Sequence, residues 1–226
     1  MTNLDNLLDT SKDTLKKYAD TLKNLPVLKL DHFDPKSTLL ILMDMNNGFS
    51  LEGALSSPRV KDLIPKIELL TFRCLQTGIH TVAFTDTHSE QSREFNAYPP
   101  HCVRGSGEEK LVDELDKFKT EAHFHIIEKN STNAFHIFNP FDEFRLLKME
   151  YIENIIVVGC VTDICVYQFA TTLMTYIHQY SLPSKVIVPV SMVDTFDIPG
   201  HNADLFNLIY LNSMAGNGIT LARDID

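Results

Sequence analysis

Tryptophan is absent from the 226 residues, and several other scarcities narrow what the chain can be. Positive charge is in deficit, with 20 Lys+Arg against 30 Asp+Glu for a formal net charge of −10. Residues 1–37 hold six Asp and six Lys, so the excess of negative charge lies in 38–226. An acidic surface repels phosphate backbones and anionic headgroups, which argues against nucleic acid or a membrane as the main partner. The longest apolar run, Leu39 to Met43, is far too short to span a bilayer. The opening residues Met1 to Asn6 carry neither a basic patch nor an apolar stretch, so no secretory signal is expected. The four cysteines include no CxxC pair, a usage that fits a reducing cytoplasm, where a cysteine is buried or catalytic more often than bridged. No Gly/Ser linker, low-complexity tract or internal repeat divides the chain. What remains is an ordinary globular composition, 44% hydrophobic and 22% charged, in a length that buries one large core. The expectation is a cytoplasmic protein with one main domain.

Leu15, Tyr18, Leu22 and Leu25 recur at helical spacing until Pro26 ends the pattern. Residues 1–37 therefore read as an amphipathic helix and connector, a packing appendage or dimer arm. From 38 to 226 the pattern changes to short, largely apolar runs, alternating with helical stretches. The runs are Leu39–Met43, Thr81–Phe84, Phe124–Ile127, Ile155–Val158, Lys185–Val188 and a last one at Ile219–Leu221. Strands apolar on both faces and alternating with helices predict a three-layer α/β/α fold around a mostly parallel sheet.

In such sheets ligands sit outside the carboxyl ends of the strands. The first run leads into Asp44, the second into Asp86-Thr87-His88, the third into Glu128-Lys129 and the fourth into Gly159-Cys160, with Cys165 five residues on. Cys165 falls in the first turn of a helix, where free N–H groups and the dipole favour a thiolate and can hold an oxyanion. Taken alone it reads equally well as a small residue tightening a strand–helix corner. Cys74, Cys102 and Cys160 read as buried. Lys129, facing Cys165, would lower the thiol pKa, and Asp44 would take the thiol proton and return it to a leaving amine. Asp86 and His88 share one face of an extended segment. With His101 after two prolines, they suit Zn²⁺, Fe²⁺ or Mn²⁺, and Glu94 offers a further oxygen. The other seven histidines have no ligand spacing. Gly105-Ser106-Gly107 reads as a turn with a helix cap rather than a phosphate loop.

These residues in this order resemble the isochorismatase-like cysteine hydrolase superfamily and, within it, the nicotinamidases (pyrazinamidases). The resemblance spans roughly 38–221 and rests on four segments: Ile41–Phe49, Phe84–His88 with Phe95–Cys102, Glu128-Lys129 with Asn133–Phe135, and Val158–Val166. It implies an isochorismatase-like (Rossmann-like) hydrolase fold and a catalytic triad of Asp44, Lys129 and Cys165. It also implies metal ligands Asp86, His88 and His101, with Glu94 matching a fourth ligand used by only some members. A cis peptide is implied at Cys160–Val161, with an oxyanion hole from the N–H groups of Val161 and Cys165. Phe49 and Tyr98 fall where aromatics line the pocket.

The chain departs from the family at Thr87, where a tryptophan is frequent, at Gly48, where an aspartate is common, and at Thr132, where many members have tyrosine. Ring stacking is thinned by these changes. The implied activity is metal-dependent hydrolysis of nicotinamide to nicotinate and ammonia through a Cys165 thioester, with zinc as the first-choice ion and a homo-oligomer expected. Two rivals stand beside it: the same triad acting on another small amide or carbamoyl compound, and a silent relative that binds or scaffolds through its N-terminal helix.

Overall fold

A computed structural model describes residues 3–142, 149 and 151–226. The chain opens with helix α1 (Leu4–Lys23), capped by the Asn3 side chain, which accepts from the N–H groups of Asp5 and Asn6. No residue of α1 is buried; the helix lies against the last helix of the chain, and Leu22 and Leu25 reach the edge of the core. After it, Val27–Leu28 pairs with Asp224–Ile225, which stitches the connector to the chain's tail. The sequence reading has only a connector here, because two-residue strands leave no periodicity to read.

The central sheet is built from β1 (Thr38–Met43), β2 (His80–Asp86), β3 (Phe124–Lys129), β4 (Asn154–Cys160), β5 (Lys185–Pro189), β6 (Val193–Asp194) and β7 (Thr220–Ala222). Its order is β3-β2-β1-β4-β5-β7, with β6 paired to β4, and every pairing is parallel. All residues of β1, β2 and β4 are buried, as a sheet covered on both sides demands. Leu39, Ile41 and Met43 face one layer with Phe169, Leu173 and Ile177, while Leu40 and Leu42 face the other with Ile64, Ile67 and Leu70. The covering helices are α2 (Ile64–Thr77), α3 (Tyr167–Tyr180) and α4 (Ala203–Gly216). Helix α2 has Pro65 in its first turn and stops at Gly78, which is left-handed at φ 86°.

The chain steps from β1 outward to β2 and β3, then returns to the other side of β1 for β4 and β5. The order therefore reverses between β1 and β4, and the crevice at their carboxyl ends is where an open α/β sheet holds its ligand. Close approach of these two strands depends on Gly159, paired with Met43 and held at φ 110°. A Cβ there would sit 2.1 Å from the Met43 carbonyl oxygen, so no other residue fits. The Gly105–Gly107 segment is a turn whose N–H groups are taken by the Glu109 carboxylate. The nearest helix starts only at Asp113, so the turn caps a side chain rather than a helix.

Candidate active site

Asp44 leaves the end of β1 at φ 51° and is fully buried. Lys129 is the last residue of β3, two strands away, and is also buried. Its ammonium group lies 2.9 Å from Asp44 Oδ2 and 2.8 Å from Asp86 Oδ1. Cys165 sits in the turn Thr162–Val166 that feeds α3, with its thiol against the Asp44 carboxylate and near Lys129. The peptide bond Cys160–Val161, which begins this turn, is cis.

The second group of residues is joined to the first. Asp86 ends β2 and gives its other oxygen, Oδ2, to His88 Nε2 at 2.9 Å and to His101 Nε2 at 3.1 Å. Glu94 Oε1 lies 3.9 Å and 3.8 Å from the same two nitrogens. One ligand atom from each of Asp86, His88, Glu94 and His101 falls within 4.8 Å of all the others. The far side of each ring is tied down as well. His101 Nδ1 donates to the Pro99 carbonyl oxygen at 2.8 Å, and His88 Nδ1 meets Asn130 Oδ1 at 2.6 Å. Hydrogen bonds at Nδ1 leave the Nε2 lone pairs facing inward, the arrangement that histidine ligands of a metal take. A neutral Nε2 lone pair against a carboxylate oxygen sets acceptor against acceptor, so a cation between them satisfies both. The donor set, two imidazoles and one or two carboxylates, suits a divalent transition ion.

Electrostatics divide the labour. Burial pushes the Asp44 carboxyl up to about 7, helped by Asp86 and opposed by Lys129. Burial acts on Asp86 in the same sense, yet the Lys129 charge, with the two imidazoles beside it, outweighs it and holds that carboxyl far below the usual range. Burial alone would lower Lys129, but Asp44, Cys165 and Asp86 keep it charged. The sequence reading makes Cys165 a favoured thiolate, and here the structure corrects it. Burial raises the thiol pKa well above its ordinary value; Lys129 opposes the rise, and Asp44 and Asp86 add to it. The resting group is a thiol, so its proton has to leave as the sulfur attacks.

Asp86, His101, Glu94 and Cys165 open onto one cavity at the carboxyl end of the sheet, walled by Phe49, Tyr98, Leu55, Val161, Ile164, Thr132 and Phe196. The Phe49 ring is 5.5 Å from His101 and that of Tyr98 is 6.3 Å away. The residues singled out from the sequence thus converge: Asp44, Lys129 and Cys165 at the floor, the four prospective ligands beside them, and Val161, Phe49 and Tyr98 on the wall. Sequence reasoning missed Asn46, whose side chain accepts from the Asp86 N–H and donates to the Asp86 carbonyl, fixing that strand end. It also missed Asn130, next to Lys129, and the wall residues Leu55, Ile164 and Phe196.

Residues 38–215 match the family model described as the isochorismatase domain. The chain belongs to the isochorismatase family. A curated relative, Nicotinamidase 1 of Arabidopsis thaliana, is 29% identical over 208 residues, which is 86% of this chain and 83% of that protein. Among solved structures, the pyrazinamidase/nicotinamidase of Streptococcus mutans superposes with a TM-score of 0.67 at 22% identity, covering 82% of this chain and 99% of that one. A pyrazinamidase of Pyrococcus horikoshii in complex with zinc gives 0.62 at 20% identity, covering 82% and 98%. The relatives fall in the nicotinamidase/pyrazinamidase branch, and the chain is an amidohydrolase. None of its described helices is long and apolar enough to cross a membrane.

Proposed function

We propose that this protein hydrolyses nicotinamide to nicotinate and ammonia, with a divalent ion, zinc by preference, held by Asp86, His88, His101 and Glu94. The observation that carries the reading is Asp86, which gives one oxygen to Lys129 and the other to both imidazoles, so that the triad and the ligand set form one buried unit. When bound, the ion supplies a Lewis-acidic contact for the ring nitrogen of the substrate.

The chain's own residues account for the proton traffic. Asp44, with its carboxyl near 7 and the thiol beside it, takes the Cys165 proton as sulfur adds to the carboxamide carbon. Lys129 keeps the charge of that step balanced by holding both buried carboxylates. The N–H groups of Val161 and Cys165 receive the oxyanion. Asp44 then returns the proton to departing ammonia, and water, deprotonated by the same carboxylate, opens the thioester. Phe49 and Tyr98 flank the planar ring.

Two imidazoles, two carboxylates and a walled cavity favour nicotinamide over the rival readings. The triad and ligand set are complete, which a silent scaffold would not require. Thr132 and Thr87, small where the family carries larger rings, keep another small amide or carbamoyl substrate as the second reading. The test is ammonia release by metal-loaded protein from nicotinamide, pyrazinamide and ureido compounds, with elemental analysis of the same preparation. Turnover of ureido compounds with none of the pyridine amide would move the assignment to the second reading. Ammonia from nicotinamide at the wild-type rate by Cys165→Ala would end both.

A further inference from the structure

Beyond β6 the chain runs along the rim of the crevice as Thr195–His201, and one ring of this segment, Phe196, forms part of the cavity wall beside Cys165. Asp197 to Gly200 lie exposed at the tip. Ile198 and His201 exchange both backbone hydrogen bonds, at 3.2 and 2.9 Å, which folds the segment back and brings His201 under Phe196. The two rings stack with centroids 4.0 Å apart and planes 21° from parallel. On its other face the imidazole lies 3.9 Å from Phe206, in the first turn of α4. Its Nδ1 meets the carbonyl oxygen of Phe196 at 2.9 Å, and its Nε2 meets Asp163 Oδ2 at 2.8 Å. Asp163 is buried and stands two residues before Cys165 on the same turn.

We propose that Phe196 is a specificity-determining wall for a planar ring in this crevice, and that His201, tied to Asp163, is the positioning residue that sets its distance from Cys165. This rests on the amidohydrolase reading above and deepens it. The rim segment and the nucleophile turn are far apart in sequence, and the contacts through His201 clamp one to the other. Both ring nitrogens meet oxygen acceptors and both ring faces meet phenyl groups. The imidazole therefore cannot turn without losing a hydrogen bond and a stacked face together. Phe196 supplies an aromatic surface to a pocket that has no tryptophan, and it does so from a loop whose tip is exposed. Neither His201 nor Asp163 opens onto the cavity, so each acts through Phe196 rather than on substrate.

The test uses the metal-loaded full chain. Phe196→Leu and His201→Ala are each expected to raise KM for nicotinamide about tenfold while kcat stays within about threefold, the split expected of lost ring binding without lost chemistry. The double variant is expected to be no worse than the poorer single one, since both remove the same wall. Multiplying effects, or a fall in kcat with KM unmoved, would overturn the proposal. A second readout does not need turnover: alkylation of Cys165, followed by mass spectrometry at that residue. In both single variants the rate with N-phenylmaleimide is expected to rise several-fold relative to iodoacetamide, because the wall excludes the larger reagent. An unchanged ratio would overturn the proposal, whereas an inactive wild type with a raised ratio would remove only the nicotinamide assignment. Should His201→Ala not fold, Asp163→Asn and Asp163→Ala replace it. The amide keeps an oxygen for His201 and is expected to restore most of what the alanine variant loses, and equal loss in both would count against the clamp.

Discussion

The floor and the wall of the crevice are built on different principles. The floor is polar, buried and carried by strand ends: Asp44, Lys129 and Asp86 leave three adjacent parallel strands, and Lys129 bonds to both carboxylates. The wall is apolar and carried by loops: Phe49, Tyr98 and Phe196 come from three separate connections and meet only around the cavity. A buried charge cluster tolerates no loosening, because each member left unpaired costs several kcal/mol. An aromatic wall has no such requirement, since dispersion and stacking weaken gradually as a ring shifts. On the proposed function, chemistry rests on the rigid half of the crevice and selectivity on the adaptable half. Floor substitutions should act on kcat and stability, and wall substitutions on KM.

The hardest break is at the sulfur. Cys165→Ala keeps the fold, since a 6% exposed thiol gives way to a smaller methyl, yet it removes the proposed nucleophile and should bring ammonia release to background. Lys129→Met comes next. It leaves the Asp44 and Asp86 carboxylates facing each other without the cation between them, which should destabilise the fold by about 3–5 kcal/mol in urea melts at neutral pH. The same change should raise the Asp44 pKa further, since Lys129 does most to lower it. Residual activity in this variant should then need a more alkaline solution than the wild type.

Removing a ligand tests the join between the two buried sets. His101→Ala should sharply reduce the bound metal found by elemental analysis, because it withdraws one of two inward-facing Nε2 atoms. His123→Ala is the control from the opposite end of the sheet. There His123 Nδ1 meets His80 Nε2 at 3.0 Å, and His80 Nδ1 meets His125 Nε2 at 3.3 Å, imidazole against imidazole. Metal content should not change in that variant. Equal losses from both would put the ion elsewhere than beside Asp86.

A pH profile of the wild type reads the floor more gently. Asp44 acts as base only when ionised, and burial holds its carboxyl at about 7. Below that pH the carboxylate is protonated and cannot take the thiol proton, so kcat/KM should fall roughly tenfold per unit on the acid side. Above it the base is ready, and the profile should level. A limb near 4 would mean that the carboxyl is not desolvated when it works.

How legible each half was follows from the same contrast. A parallel sheet announces its strands as apolar runs, and the residue after each run is fixed in space by the register, so Asp44, Asp86 and Lys129 could be read from the sequence before the fold was in hand. The convergence of Asp86 on both Lys129 and the histidines could not, because it depends on which oxygen points where. Asn46 and Asn130 lie beside residues already singled out, but their amides carry no signal until the groups they hold, the Asp86 backbone and the His88 ring, are placed. Phe196 stands two residues beyond β6, a two-residue strand that leaves no run to read. It was passed over because a phenylalanine in a loop has no distinguishing chemistry, and only the return of His201 beneath it brings it over Cys165. The thiol's resting state was misread for a related reason. The turn position favours a thiolate locally, while the burial that opposes it, and the two carboxylates that add to it, come only with the fold.

The mildest test falls on the wall itself. Phe49 is nearly buried, and its ring is tilted 50° to that of His101 at 5.5 Å. Phe49→Leu keeps most of the apolar volume and removes the flat face, so the fold and the ligand set should stand. The loss should be that of one aromatic contact, about 0.5–1.5 kcal/mol, which is a two- to tenfold rise in KM for nicotinamide. Metal content and kcat should stay where they were, because nothing Phe49 touches carries a proton in the reaction. If kcat fell with KM unmoved, Phe49 would be holding His101 in place rather than receiving a ring. It would then belong to the floor, and the line between the two halves would run one residue further out.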